Sequence, residues 1–196
     1  MTLEIGTSRD PKKLKNPSLI IGASHTGKSE IAISYLDIEK ETTVIGTADT
    51  TENDLRLRIE QLKSKRPNHW KHIESCQQIT ETIRNEIENR ATKQILFDSV
   101  NQWVAAFILE KHQLMTPLQI EEALDLELQQ LEQLLVQYSS TIRFVFVTSE
   151  LGAGLSPSNP SARFFRRLVG KSNSKVAAMC SGALLMTASI PSIIKD

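Results

Sequence analysis

The sequence predicts an α/β fold with a mostly parallel sheet flanked by helices, on three observations. Short continuous apolar runs, the pattern of strands buried on both faces, recur along the chain. Segments of helical period lie between them, the alternation from which parallel sheets are built. The first apolar run leads directly into a glycine-bounded loop and then a helical segment, the order a phosphate-binding loop requires.

Residues 1–17 are polar and predict a loose N-terminal extension, with a short edge strand at 3–5; residues 18–196 predict one domain. The first strand is Ser18-Leu19-Ile20-Ile21-Gly22, ended by glycine. A helix is expected over residues 28–36, then a strand at Thr43-Val44-Ile45. Leu55, Ile59 and Leu62, spaced four and three apart among charges, predict a helix over 53–65. Ile79, Ile83 and Ile87 keep an i,i+4 register and predict one over 77–89. A strand at Gln94-Ile95-Leu96-Phe97 precedes helices at 100–111 and 117–137, the second rich in Leu and Glu/Gln and expected to serve as core or as an oligomer contact. The run 142–147 predicts a strand, 162–178 a helix and 183–187 a last strand. Between them, residues 151–160 carry Gly152, Gly154, Pro157 and Pro160; a glycine- and proline-rich loop after a strand suggests a site rather than a linker.

Composition narrows the function classes. Lys plus Arg and Asp plus Glu both number 23, so the formal charge of the 196-residue chain is zero, which argues against nucleic-acid binding by bulk charge. No apolar run approaches the roughly 20 residues of a membrane-spanning helix. The N-terminus lacks the apolar centre of a secretory signal. Cys76 and Cys180 form no CxxC pair, and are expected as reduced, buried thiols of a cytoplasmic protein.

The sharpest motif is Gly22-Ala23-Ser24-His25-Thr26-Gly27-Lys28-Ser29, a full GxxxxGK[ST] between strand and helix. Glycines let the backbone curl so that successive N–H groups face a phosphate. Lys28 is placed to reach the β- and γ-phosphates, and Ser29 to offer its hydroxyl to Mg²⁺. His25 reads as a spacer supplying its backbone N–H, with a catalytic part as the alternative. Asp98 ends the strand Ile95-Leu96-Phe97, where a carboxylate lies beside such a loop and holds Mg²⁺ directly or through water. Ser29 and Asp98 are the candidate metal pair.

Three further stretches carry a family resemblance: Thr47-Ala48 with Asn53-Asp54-Leu55-Arg56-Leu57-Arg58-Ile59; Lys63-Ser64-Lys65-Arg66-Pro67-Asn68-His69-Trp70 with Glu74; and Val147-Thr148-Ser149-Glu150-Leu151-Gly152-Ala153-Gly154. Together they resemble the bifunctional adenosylcobinamide kinase/adenosylcobinamide-phosphate guanylyltransferases of cobalamin biosynthesis. Asp98-Ser99-Val100-Asn101-Gln102-Trp103 is similar to that family's D-C-L-T-x-W, and Pro157, Asn159, Ala162-Arg163, Phe165-Arg166, Gly170 and Asn173 stand at its spacings. The resemblance runs from about Leu19 to Lys195. It implies a RecA-like P-loop fold, a homotrimer, and substrates that are a nucleotide (ATP or GTP) and a corrinoid. It implies phosphorylation of a hydroxyl on the aminopropanol arm, then transfer of GMP from GTP through a histidine-bound intermediate. It also implies that Thr47, Ala48, Asp49, Lys63, Ser64, Lys65, Arg66 and Glu74 join residues 22–29 and Asp98 around the nucleotide.

One departure bears on the chemistry. The family's nucleophilic histidine lies in R-I-x-x-H-[KR]-x-x-R-P, and this chain reads Arg58-Ile59-Glu60-Gln61-Leu62-Lys63-Ser64-Lys65-Arg66-Pro67. Leu62 cannot form a phosphoramidate. Phosphoryl transfer needs no covalent protein intermediate, so the kinase step survives this loss while the guanylyl step lacks its nucleophile. Ser149, Ala106, Arg167 and Ser174 depart from the family pattern as well. His69 is expected as a surface or packing residue, with rescue of the lost nucleophile by it or by His72 as the alternative; His112 is read as a helix end. Lys63, Lys65 and Arg66 are either phosphate contacts or a solvated helix end. Trp70 and Trp103 are expected as core anchors. Glu150 is open between substrate or Mg²⁺ binding and organising its own loop. Three functions are consistent with these readings: a partly active transferase of this type, a non-catalytic or re-purposed nucleotide-binding homologue, and a P-loop kinase or ATPase with another acceptor.

Overall fold

The computed structural model describes residues 14–47, 60–64, 66–74 and 78–196. The expected strand at 3–5, residues 53–59 of the expected helix, Cys76, and the candidate site residues Ala48, Asp49 and Lys65 lie outside the described residues. In chain order the elements are β1 (Ser18–Gly22), α1 (Lys28–Ser34), β2 (Thr42–Gly46), β3 (Lys71–Glu74), α2 (Ile79–Arg90), β4 (Gln94–Asp98), α3 (Val100–Lys111), α4 (Pro117–Tyr138), β5 (Arg143–Ser149), α5 (Pro160–Met179), β6 (Gly182–Thr187) and β7 (Ile190–Lys195). Residues 60–64 are helical and precede β3.

The strands form one seven-stranded sheet in the order β3-β2-β4-β5-β1-β6-β7. Every neighbouring pair is parallel except β6–β7. Gly46 stands in register with Glu74 on one side and Asp98 on the other, and Gly22 with Ser149. The carboxyl ends of β1 to β5 therefore meet along one edge, where open α/β sheets bind their ligands.

Both faces of the sheet are covered, which explains the continuous apolar runs. Leu19, Ile45, Ile95, Phe97, Phe144 and Phe146 pack under α2 to α5, around Trp103. The alternate residues Ile20, Val44, Leu96, Val145 and Val147 pack against Ala32 of α1, Tyr35, Leu36 and Trp70. Trp70 and Trp103 are core anchors, as expected; Trp103 meets Phe97 edge-on at 5.9 Å between ring centroids.

Local chemistry sets the helix ends. Thr116 and Gln119 form a reciprocal capping box at the start of α4, with Pro117 in its first turn. Ile120, Leu124, Leu128, Leu131 and Leu135 then form its buried face, so the Leu-rich segment serves the core. The Asn159 side chain accepts the N–H groups of Ser161 and Ala162, starting α5 two residues before the apolar pattern does. His112 ends α3, as expected. Cys180 is buried, and its thiol is pushed up to about 12 by burial.

Two strands are absent from the sequence expectation. β3 has four residues, three of them charged or titratable, and lies at the sheet edge. β7 returns from β6 through Ala188 and Ser189, which hold φ of 51° and 65° without the glycine or asparagine that marks such turns. Among the described residues no helix is long and apolar enough to cross a membrane.

Candidate functional site

The loop after β1 is shaped by its glycines. β6 passes so close that a Cβ on Gly22 would lie 2.4 Å from the Met186 carbonyl oxygen. The chain then turns through left-handed backbone at His25 (φ 59°) and Gly27 (φ 79°), and Gly27 becomes the N-cap of α1. Thr26 closes the turn by donating its hydroxyl to the Ala23 carbonyl at 2.8 Å. Lys28 is buried under the loop with its ammonium on the same carbonyl, 2.5 Å away.

Asp98, at the end of β4, meets this loop through Ser29, whose hydroxyl donates to Asp98 Oδ1 at 3.2 Å. On its other oxygen the carboxylate faces Arg66: Nη2 lies 3.5 Å from Oδ2. The Arg66 side chain is 6% exposed, and its Nε is buried with no hydrogen-bond partner. Burial pushes the guanidinium below the usual arginine range, against the attraction of Asp98 and Glu30. Thr47 ties the ends of β2 and β4 together: its N–H donates to the Asp98 carbonyl, its hydroxyl donates to the Ser99 carbonyl at 2.7 Å, and it accepts the Ser99 N–H.

Around these groups lies a cavity of about 280 Å³. Of the expected site residues, Ser24, His25, Lys28, Ser29, Lys63, Arg66, Glu74 and Asp98 line it, and so does Leu62. Gly22, Ala23, Thr26 and Gly27 frame the loop behind that lining. Ser64 is exposed and turns its hydroxyl back to the Gln61 carbonyl. Lys63 and Glu74 form an ion pair across one rim. Leu62 is 8% exposed, so its isobutyl group is part of the wall rather than a solvated neighbour.

Several lining residues carried little weight in the sequence. His72, on β3, points at Arg66, with Nδ1 3.4 Å from Nη1. Burial, Arg66 and Lys63 all push it below the ordinary histidine range, against Glu74. Ser99, Asn101, Gln102 and Ser149 also line the cavity. Asn101 accepts the Ser149 N–H at 3.0 Å, and Asn173 donates to the Ser149 carbonyl at 3.0 Å while accepting the Thr148 hydroxyl at 2.7 Å. The end of β5 is thus held by two asparagines from two helices. Glu150 accepts the Gly152 N–H, which favours the loop-organising reading. Arg166 donates to the Gly152, Gly154 and Leu155 carbonyls, and Arg163 to those of Pro157 and Ser158, so α5 clasps the loop. His69 is exposed in the turn before β3, as expected of a surface residue.

Chemically, the set can hold a polyanion on Lys28, Lys63 and Arg66. One hydroxyl and one carboxylate, both hard oxygen donors, suit a cation that draws its other ligands from phosphates and water. No group of three or more His, Cys, Asp or Glu residues that could hold a metal on its own occurs among the described residues.

A family model described as cobinamide kinase / cobinamide phosphate guanyltransferase matches residues 18–194. The chain belongs to this family. Relatives in it include the bifunctional adenosylcobalamin biosynthesis protein CobU of Escherichia coli (strain K12), 26% identical over 182 residues that cover 90% of this chain and 98% of the relative. CobP of Pseudomonas aeruginosa is also 26% identical, over 179 residues covering 90% and 96%. Among solved structures, a prototypical ATPase from the type III secretion system of pathogenic bacteria superposes with a TM-score of 0.53 at 10% identity. The match covers 89% of this chain and 51% of the ATPase, so this chain spans about half of it; the likeness is one of fold. This member of the cobinamide kinase family thus has the α/β P-loop fold that its sequence predicts.

Proposed function

We propose that this chain phosphorylates adenosylcobinamide with ATP or GTP and has lost the covalent guanylyl-transfer step of its family. The observation that carries the reading is the meeting of Ser29 and Asp98 at 3.2 Å beside the buried Lys28, opposite a wall in which Leu62 replaces the nucleophile.

Lys28 neutralises charge on the β- and γ-phosphates, and the loop from Gly22 to Ser29 cradles them. Ser29 and Asp98 hold Mg²⁺, which supplies charge neutralisation for the transferring phosphoryl group. Arg66 and Lys63 reach phosphate oxygens from the opposite side, and Glu74 keeps Lys63 in place. With Thr47, Ala48, Asp49, Ser64 and Lys65 these residues make up the nucleotide site that the family resemblance implies. The acceptor hydroxyl oxygen bonds to the γ-phosphorus as the bond to the β–γ bridging oxygen breaks. A cavity of about 280 Å³ suits phosphates and a substrate arm, with the corrin ring outside. By family resemblance we place the protein in the cytoplasm as a homotrimer, with residues 18–196 as one domain.

His72 is a poor substitute nucleophile. Arg66 can only donate, so at 3.4 Å the Nδ1 lone pair is the acceptor and Nε2 carries the proton. Imidazole attacks through an unprotonated nitrogen, and here that nitrogen faces a cation.

The test is mass spectrometry of the products after incubation with Mg²⁺ and adenosylcobinamide, with GTP or ATP in parallel. Adenosylcobinamide phosphate as the only product is the expected result. GDP-cobinamide overturns the reading of Leu62. Unchanged corrinoid with nucleotide bound favours the second reading, a nucleotide-binding homologue without this activity, to which the buried Leu62 also points.

A further inference from the structure

The cavity is lined by groups of two kinds. Lys28, Lys63 and Arg66 are cationic; Ser99, Asn101, Gln102 and Ser149 are polar but uncharged. Phosphates belong to the first. A row of amides and hydroxyls with no net charge matches a neutral ligand that carries hydroxyl and amide groups of its own.

Among the uncharged lining groups one pair is held in a set orientation. The Ser149 N–H can only donate, so the atom of Asn101 that meets it at 3.0 Å is Oδ1. The Asn101 NH₂ has no hydrogen bond to a described residue, and Asn101 lines the cavity. Ser149 is 9% exposed, its carbonyl is taken by Asn173, and its hydroxyl likewise bonds no described residue. Along β5 the Thr148 side chain turns to Asn173 of α5. Ser149, next in the strand, turns to the opposite face, where Val147 packs and where Asp98, in register with Val147, also points.

We propose that the Asn101 amide and the Ser149 hydroxyl form the acceptor subsite, binding an oxygen of the neutral, amide-bearing arm whose hydroxyl is phosphorylated and thereby setting acceptor specificity. This rests on the kinase reading above. The polar complement is built on backbone already pinned by Asn101 and Asn173, so the donors are held in place before the acceptor arrives.

The test is binding, measured separately for the two substrates on the full chain: equilibrium dialysis of adenosylcobinamide by its absorbance, and titration of a fluorescent GTP analogue with Mg²⁺. Ser149→Ala removes the hydroxyl without changing charge. Asn101→Asp keeps an oxygen on the Ser149 N–H, replaces the NH₂ donors by a second acceptor oxygen and adds a negative charge, so only Ser149→Ala serves as the control on nucleotide binding. Unchanged thermal unfolding shows that each variant is folded. Both variants are expected to weaken corrinoid binding about tenfold, the loss of one net hydrogen bond. Ser149→Ala is expected to move nucleotide binding less than about twofold, since the subsite assigns this uncharged hydroxyl to the corrinoid rather than to a phosphate. Equal corrinoid affinity in wild type and both variants overturns the subsite, as does an equal loss of nucleotide affinity in Ser149→Ala or the absence of corrinoid binding to wild type. Turnover is read separately: corrinoid binding that depends on these residues without product formation overturns the kinase reading and leaves the subsite standing.

Discussion

Arg66 stands 3.5 Å from Asp98 with its side chain almost fully buried, and this pair is too long for a strong hydrogen bond. The guanidinium is 6% exposed, its Nε bonds no described residue, and its Nη1 meets a histidine nitrogen at 3.4 Å. Removing a cation from water at this cost stabilises the fold little, since desolvation offsets a loose ion pair. Exchanging both partners for apolar residues would therefore cost little, but Arg66→Met alone leaves the Asp98 carboxylate less compensated and is expected to lower the unfolding free energy by up to about 3 kcal/mol. Nucleotide affinity is expected to fall by about tenfold or more, the worth of one charge-assisted hydrogen bond. Denaturant unfolding and nucleotide titration of the same variant measure the two effects.

His72 gives the pocket a pH dependence. Its folded pKa is lowered by burial, then by Arg66 and Lys63, with Glu74 opposing, from the ordinary 6.5. A depressed histidine binds its proton more readily unfolded than folded, so stability rises with pH through this window. The contribution is fully present above pH 6.5 and is lost as pH falls toward the lower folded value. Thermal unfolding of wild type is expected to drop below pH 6.5, and His72→Gln to flatten that slope. A parallel pair of curves in that range sinks the assignment.

Glu86 is the structural counterpart on the far side of β2. Its carboxylate, 8% exposed, takes Lys71 Nζ at 2.5 Å and the Thr43 hydroxyl at 3.2 Å, with Arg90 Nε at 3.5 Å. It thereby fastens α2 to β2 and to the short edge strand that carries His72 and Glu74. Glu86→Gln is expected to cost about 1–3 kcal/mol, the loss of charge from a buried, hydrogen-bonded acceptor. Because β3 hangs on this contact, nucleotide affinity should fall with it; urea unfolding and nucleotide titration check both.

How much of this was legible depended on whether the information was local. β1 and α3 match their expected bounds because an apolar run and a helical period are read within a few residues. β3 escaped because Lys71-His72-Ile73-Glu74 owes its strand to pairing with β2 rather than to its own pattern. β7 escaped because Ala188 and Ser189 turn without glycine. The phosphate loop and Asp98 were legible because their chemistry forces spacing and position. The Asn101–Ser149 contact was not: a side chain bonding a backbone N–H 48 residues away leaves no trace in either segment. Ser149 departs from the family pattern while Asn101 lies in the stretch that resembles D-C-L-T-x-W, and only the fold reveals that the two touch.

Leu62 supplies the sharpest chemical test. It lies in the wall that also holds Lys63 and Arg66, where the family motif puts its nucleophile. Wild type is expected to form no covalent adduct with GTP. Leu62→His places an imidazole in a wall that already has cations for a triphosphate, so incubation with α-labelled GTP is expected to give an acid-labile protein–GMP adduct. Exchanging a buried isobutyl group for imidazole should also cost about 1–3 kcal/mol, so intact folding must be checked by thermal unfolding. A folded Leu62→His chain that binds GTP yet takes up no label means that more than the nucleophile has been lost. Labelled wild-type protein, with the label mapped to His72, would show that Arg66 does not hold Nδ1 as its 3.4 Å contact implies.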